Sequence, residues 1–188
     1  MTNPWVLYQR QPSFALGFHG TDKSIVDGVV VSHNKGMNTI PQTSEKNYIT
    51  GKAALNVPYE DGTFADWHFD AVFLSGRGKI RVAGQDAPDT IKLLGNYGIR
   101  ECSAVLKRFG VSLQAGEKVY AANHIRALLD MVLASVIKKR LPEHVTIEDM
   151  IDSPQERREL QAQITALKER ITDQVTLSLL QQWEQRQH

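Results

Sequence analysis

The sequence lacks the features that mark several common classes of protein. Cys102 is the only cysteine among 188 residues, which excludes a disulfide framework and a zinc site built on paired cysteines. The longest apolar stretch, residues 127–137, is interrupted by Asp130 and is shorter than the roughly 18 apolar residues of a membrane-spanning helix. The chain does not open with a basic segment followed by an apolar run, the pattern of a signal peptide. We therefore expect a cytoplasmic protein without a membrane partner.

The charge is nearly balanced overall but unevenly distributed. The 22 basic and 21 acidic residues leave a net charge of +1, too little to drive binding to nucleic acid or acidic lipid. Residues 37–141 hold 14 basic and 10 acidic side chains, whereas residues 142–188 hold 5 and 9. Together with the polar stretch that follows the N-terminal strands, this predicts three parts. They are an N-terminal segment with a linker (residues 1–36), a mixed core domain (37–141) and a C-terminal helical arm (142–188).

The hydrophobic periodicity favours an α+β fold. Short apolar pieces near the N-terminus predict strands, and residues 71–74 and 79–83 predict one hairpin. Residues 99–109 and 120–139 carry helical spacing and predict a mainly helical body. Ser153, followed by proline and then by Glu156, is typical of the start of a helix, so the arm is predicted to be an amphipathic helix.

The predicted arm carries a narrow apolar stripe. We call it the C-terminal stripe, and its members are Leu160, Ile164, Leu167, Ile171, Val175, Leu179 and Trp183. Such a stripe has to be buried against the body of the chain, a second copy in a homodimer, or another protein. We expect it to bind another protein by laying a helix into a groove.

The N-terminal segment carries a resemblance to a known family. The stretches WVLYQR (residues 5–10) and LGFHGTDKS (residues 16–24) resemble the opening of a bacterial ADP-ribosyltransferase-type toxin. The resemblance implies that His19 and Gly20 would hold the nicotinamide ribose of NAD. It covers about residues 5–31 only, and the aromatic glycine-rich strand and the catalytic glutamate of the family do not follow. An NAD-dependent ADP-ribosyltransferase that uses His19 is therefore the alternative function.

The remainder of the chain resembles the small companion proteins of such toxins. KNYITG (residues 46–51) and GTFADWHF (residues 62–69) carry this resemblance. It implies an antitoxin-like protein that needs no cofactor and neutralises a cognate ADP-ribosyltransferase-type toxin by binding it. In this interpretation, the C-terminal stripe contacts the toxin and the acidic side of the arm competes for a basic rim around the toxin's active site.

Two further groups of residues are candidates for a function. Asp66, His68 and Asp70 would share one face of a strand, where they suit a divalent metal or acid–base chemistry with His68 as the catalytic group. The alternative is that Trp67 and Phe69 form a buried aromatic pair, with His68 hydrogen-bonded at the surface. We expect no metal.

The second group lies in the helical body. Residues 103–112 have the pattern of a helix-turn-helix, which makes operator DNA an alternative partner. Four basic side chains would contact phosphates, namely Lys107, Arg108, Lys118 and Arg126. The other interpretation of the same residues is a helical hairpin with a solvated basic face.

Overall fold

The computed structural model describes residues 23–26, 29–32 and 39–187. The chain divides into two compact units, Met1–Lys35 and Gly36–His188. In the first unit, strands β1 (Lys23–Val26) and β2 (Val29–Ser32) pair antiparallel. The second unit combines a mixed sheet with helices, so the predicted α+β class is confirmed.

The sheet of the second unit has four short strands in the order β4-β3-β6-β5. They are β3 (Ile49–Thr50), β4 (Arg81–Val82), β5 (Ile99–Glu101) and β6 (Tyr120–Ala122). Strand β3 runs antiparallel to β4 and parallel to β6, and β6 runs antiparallel to β5.

Seven α-helices accompany this sheet in the described residues. They are α1 (Lys52–Leu55), α2 (Ile91–Leu94), α3 (Ser103–Arg108), α4 (His124–Val136), α5 (Ile147–Met150), α6 (Pro154–Arg170) and α7 (Gln174–Gln185). Helix α4 is buried along almost its whole length, and Asn123 begins it by accepting a hydrogen bond from the backbone N–H of Arg126 at 2.8 Å. Its residues belong to both apolar clusters of the core, so α4 joins the sheet to the C-terminal helices.

The C-terminal stripe is part of this core, which corrects the prediction that it binds a partner. Five of its members are buried: Leu160, Ile164, Leu167, Ile171 and Trp183. They pack in one apolar cluster with α4, and the indole N–H of Trp183 donates to the carbonyl of Val145 at 2.8 Å. Leu179 is half-buried, and only Val175 is largely exposed. The stripe is thus unavailable to a toxin or to a second copy, and the arm lies in the same compact unit as the body.

Three local predictions are also wrong. Residues Asp70–Leu74 form a π-helical turn instead of a hairpin strand, because Phe69 and Phe73 lie one turn apart and are both buried. Residues 99–101 and 120–122 are strands instead of helix, because they pair with each other before α3 and α4 begin. Helical periodicity continues through both segments, and the pairing of β5 with β6 overrides it.

Candidate functional site

A cleft of about 710 Å³ opens on the surface of the second unit. Its walls come from residues 50–56, which include α1, from residues 66–81, and from the last part of α4 with the chain that follows it. The volume lies in the range of small-molecule sites in proteins. Its charged and titratable lining residues are Lys52, Asp66, His68, Arg77, Lys79, Arg81, Lys138, Arg140 and His144.

Most of the charged side chains on these walls are basic. Six of the lining residues are lysine or arginine, all of them exposed, and Asp66 is the single carboxylate. Lys79 forms an ion pair with Asp86 at 3.4 Å, outside the cleft lining. The other five cations have no ion-pair partner among the described residues. A concave surface of one sign concentrates its electric field, so the cleft attracts anions.

The loop that carries Arg77 and Lys79 at the rim of the cleft is held by a close approach of its backbone to the π-helical turn. A Cβ atom at Gly78 would lie 2.8 Å from the Cα atom of Val72, so only glycine fits between the loop and the π-helical turn. The backbone N–H groups of Arg77 and Gly78 both donate to the carbonyl of Ala71, at 3.0 and 2.8 Å. This contact anchors the loop, and the side chains on both sides of Gly78 line the cleft.

The positions of the cations on the opposite wall are set by the way the chain turns at the end of α4. Lys139 has a φ of 58°, a left-handed conformation that reverses the chain after the helix. Its ammonium group forms an ion pair with Asp173, and this hydrogen bond together with those from Thr176 lowers the pKa of the Asp173 carboxyl. Lys138 and Arg140, on either side of Lys139, line the cleft instead.

A polar and aromatic group stands at the edge of the cleft. The Asp66 carboxylate contacts His68 Nδ1 at 2.5 Å and accepts a hydrogen bond from Asn56 Nδ2 at 3.2 Å. Asn56 is buried on the cleft wall, and its Oδ1 atom has no hydrogen-bond partner within the described part of the chain. Trp67 is 84% exposed, and one face of its indole stacks on His68 with ring centroids 4.0 Å apart.

This geometry revises the predicted cluster of Asp66, His68 and Asp70. The three residues do not lie on a strand, and Asp70 opens the π-helical turn and does not line the cleft. Only Asp66 and His68 meet. In the described ranges, no group of three or more histidine, cysteine, aspartate or glutamate side chains is arranged to hold a metal ion.

The structure also corrects the helix-turn-helix interpretation. A recognition helix would follow Gly110, but residues 111–119 contain neither helix nor strand and lead into β6. Arg126 is fully buried, so it is unavailable to a DNA phosphate. Lys107, Arg108 and Lys118 are exposed, and Arg108 donates to the carbonyl of Glu60 at 2.7 Å.

A buried polar network lies beside the cleft. Asp130 on α4 accepts hydrogen bonds from Tyr48 at 3.0 Å, Thr50 at 2.6 Å, Thr90 at 2.5 Å and Arg126 at 2.9 Å. Burial and the nearby Asp130 raise the pKa of Tyr48. Because each donor already has an acceptor, the network stabilises the fold and leaves no reactive group exposed.

Two other titratable groups are held neutral by burial. Desolvation lowers the pKa of His124 to about 4, and its Nε2 atom lies 3.2 Å from the carbonyl oxygen of Val57. The carboxylate of Glu156 lies 3.8 Å from His124 Nδ1, but it accepts its hydrogen bond from the Tyr59 hydroxyl at 2.8 Å. Burial raises the pKa of the Cys102 thiol to about 12, which keeps it protonated and unreactive.

The remaining predicted site residues, His19 and Gly20, lie outside the described residues. Sequence reasoning missed the cleft because its cations are spread over residues 52, 77–81 and 138–140. In the sequence, two of these groups overlap separate predicted elements, the hairpin segment 79–83 and the helical segment 120–139. Their convergence has no local signal in the sequence.

Comparisons of the chain with protein-family models, with curated proteins and with solved structures found no match. In the described residues, no helix combines the length and apolar character needed to cross a membrane.

Proposed function

We propose that this chain is an antitoxin-like binding protein that takes an anionic partner in its basic cleft. The observation that carries the proposal is the charge of the walls, where six exposed cations face a single carboxylate. The cognate toxin, an ADP-ribosyltransferase-type enzyme, is the proposed biological partner.

The cleft replaces the C-terminal stripe as the proposed contact surface. The stripe is buried, whereas the five cleft cations without an ion pair are available to an incoming carboxylate or phosphate. The proposal therefore requires that the toxin present carboxylates or phosphates to the cleft, because opposite charges across an interface complement each other. Such complementarity accelerates encounter and selects the partner.

Charge reversal in the cleft tests the proposal. The full chain is co-expressed with the proposed cognate ADP-ribosyltransferase-type toxin, and both cell survival and co-purification are measured. We expect the triple variant Arg77→Glu, Arg81→Glu, Arg140→Glu to lose both. The matched control is Lys92→Glu, Lys107→Glu, Lys118→Glu, which makes the same change in net charge at exposed residues outside the cleft.

The outcomes separate the parts of the proposal. Survival with the control but not with the cleft variant supports a role for the cleft. A cleft variant that is folded by circular dichroism and still rescues would overturn that role. Failure of the wild-type chain to rescue or to bind the toxin would refute the antitoxin function itself.

A further inference from the structure

The side chain of Trp67 is more exposed than any other large apolar side chain in the described residues. It is 84% exposed, and it is one of only three large apolar side chains exposed in the described residues, with Ile137 and Val175. Leaving an indole in water forgoes the stabilisation that burial would provide. Trp67 is not itself a lining residue of the cleft, but its indole stacks on His68, which lines it, so the ring lies at the cleft edge.

The two faces of the indole differ. One face is stacked on the imidazole of His68 at 4.0 Å and 28°, which orients the ring. With 84% of the residue exposed, the other face is open to solvent. An oriented aromatic ring with an open face is a stacking surface for a planar ligand. A nucleobase is a common planar group that is covalently linked to phosphates, in nucleotides and nucleic acids.

The geometry points to a nucleotide site, with the base on Trp67, the sugar beside Asp66 and Asn56, and the phosphates among the cleft cations. This inference rests on the proposed anion-binding cleft but not on the identity of the toxin. Aromatic stacking next to a cationic groove is the arrangement by which proteins bind nucleotides without reading their sequence.

Two polar side chains on the cleft wall, Asp66 and Asn56, suit a sugar. Asp66 offers a carboxylate, and the buried Oδ1 atom of Asn56 has a hydrogen-bonding capacity that no described residue fills. A sugar hydroxyl is a donor of the kind that satisfies such an acceptor. The cleft volume of about 710 Å³ is large enough for a ligand of this size.

The test compares ADP with inorganic pyrophosphate, which carries similar phosphate chemistry but no base. The full-length chain is used with Trp5→Phe, so that the emission comes from Trp67 and the buried Trp183. We expect ADP to quench the emission saturably and to bind about 5- to 150-fold more tightly than pyrophosphate, the factor that one stacked base supplies. Pyrophosphate should bind without quenching.

Variants separate stacking from charge by calorimetric titration. Trp67→Ala should reduce ADP affinity to that of pyrophosphate and leave pyrophosphate binding unchanged, whereas Trp67→Phe should retain most of the preference for ADP. Arg77→Gln with Arg140→Gln should weaken both ligands, and Lys107→Gln with Lys118→Gln should weaken neither.

A ten-residue deoxyadenylate strand, titrated in parallel, distinguishes a free nucleotide from a nucleic-acid strand as the source of this chemistry. Binding of ADP identifies a free nucleotide, and binding of the strand alone identifies single-stranded nucleic acid. Equal affinity for ADP and pyrophosphate, with neither ADP nor the strand changing the emission, would overturn the inference. That result would not contradict the proposed function, because the role of the cleft in binding the toxin is tested separately by the rescue experiment.

Discussion

Arg126 and Asp130 lie one turn apart on helix α4 and form an ion pair that is shut off from solvent. The Nε atom of Arg126 donates to Asp130 Oδ1 at 2.9 Å, and its guanidinium also donates to the carbonyls of Gly95 and Tyr97. The guanidinium thus links α4 to the chain between α2 and β5. Arg126, which the helix-turn-helix interpretation assigns to DNA binding, is therefore a structural residue of the core.

The first prediction concerns this pair. Asp130→Ala leaves the guanidinium buried without its counterion, so we expect the free energy of unfolding to fall by about 3–5 kcal/mol. Urea denaturation at pH 7 measures the change. Glu169→Ala removes an exposed carboxylate from α6 and should stay within about 0.5 kcal/mol of the wild type. A loss below 1 kcal/mol for Asp130→Ala would show that the pair contributes little.

The second prediction concerns pH. Burial lowers the pKa of His124 from 6.5 to about 4, so the unfolded chain binds a proton between these values that the folded chain does not. The free energy of unfolding should therefore fall as the pH decreases from about 6.5 to about 4, by up to about 3 kcal/mol. Urea denaturation across this range measures the slope.

The matching variant is His124→Gln, which removes the titrating group and should flatten this slope. His144→Gln, at an exposed histidine, should keep it. If the wild type and His124→Gln have parallel profiles, His124 is not the source of the pH dependence.

The third prediction distinguishes a structural from a docking role for the C-terminal stripe. Trp183 is buried, and its indole donates to Val145, so Trp183→Ala should lower the free energy of unfolding by about 3–5 kcal/mol. Val175→Ala, at the exposed member of the stripe, should change it by less than about 0.5 kcal/mol. Thermal and urea unfolding measure both. Unchanged stability in Trp183→Ala would restore the docking interpretation.

The parts of the fold that were predictable are those with local causes. Ser153 begins α6 as expected, because its hydroxyl accepts a hydrogen bond from the N–H of Glu156 at 3.4 Å and Pro154 fits the first turn. The α+β class follows from the alternation of short apolar pieces with helical spacing. Residues 120–122 show where local prediction fails. This apolar segment next to a helix forms a strand because it pairs with β5.

The candidate site was less predictable, for a related reason. The sequence indicates a polar and aromatic cluster at residues 66–70. The interpretation in which Trp67 and Phe69 form a buried pair is correct for Phe69 only, because the structure exposes Trp67. Whether an aromatic residue in a loop is covered depends on which distant segments reach it, and no local spacing encodes this.

The sequence by itself determined that this chain has no disulfide framework, that its apolar residues suffice for a core, and that a helix with one apolar side begins after Ser153 in the arm (142–188). Only the tertiary structure decided what that side packs against and where the unpaired cations gather. Hydrophobic periodicity indicates that one face of a helix is buried, but it does not identify the segment against which that face packs. Helix α4 and the sheet bring distant parts of the chain together, so that one cleft is lined by Lys52, Arg77, Lys79, Arg81, Lys138 and Arg140.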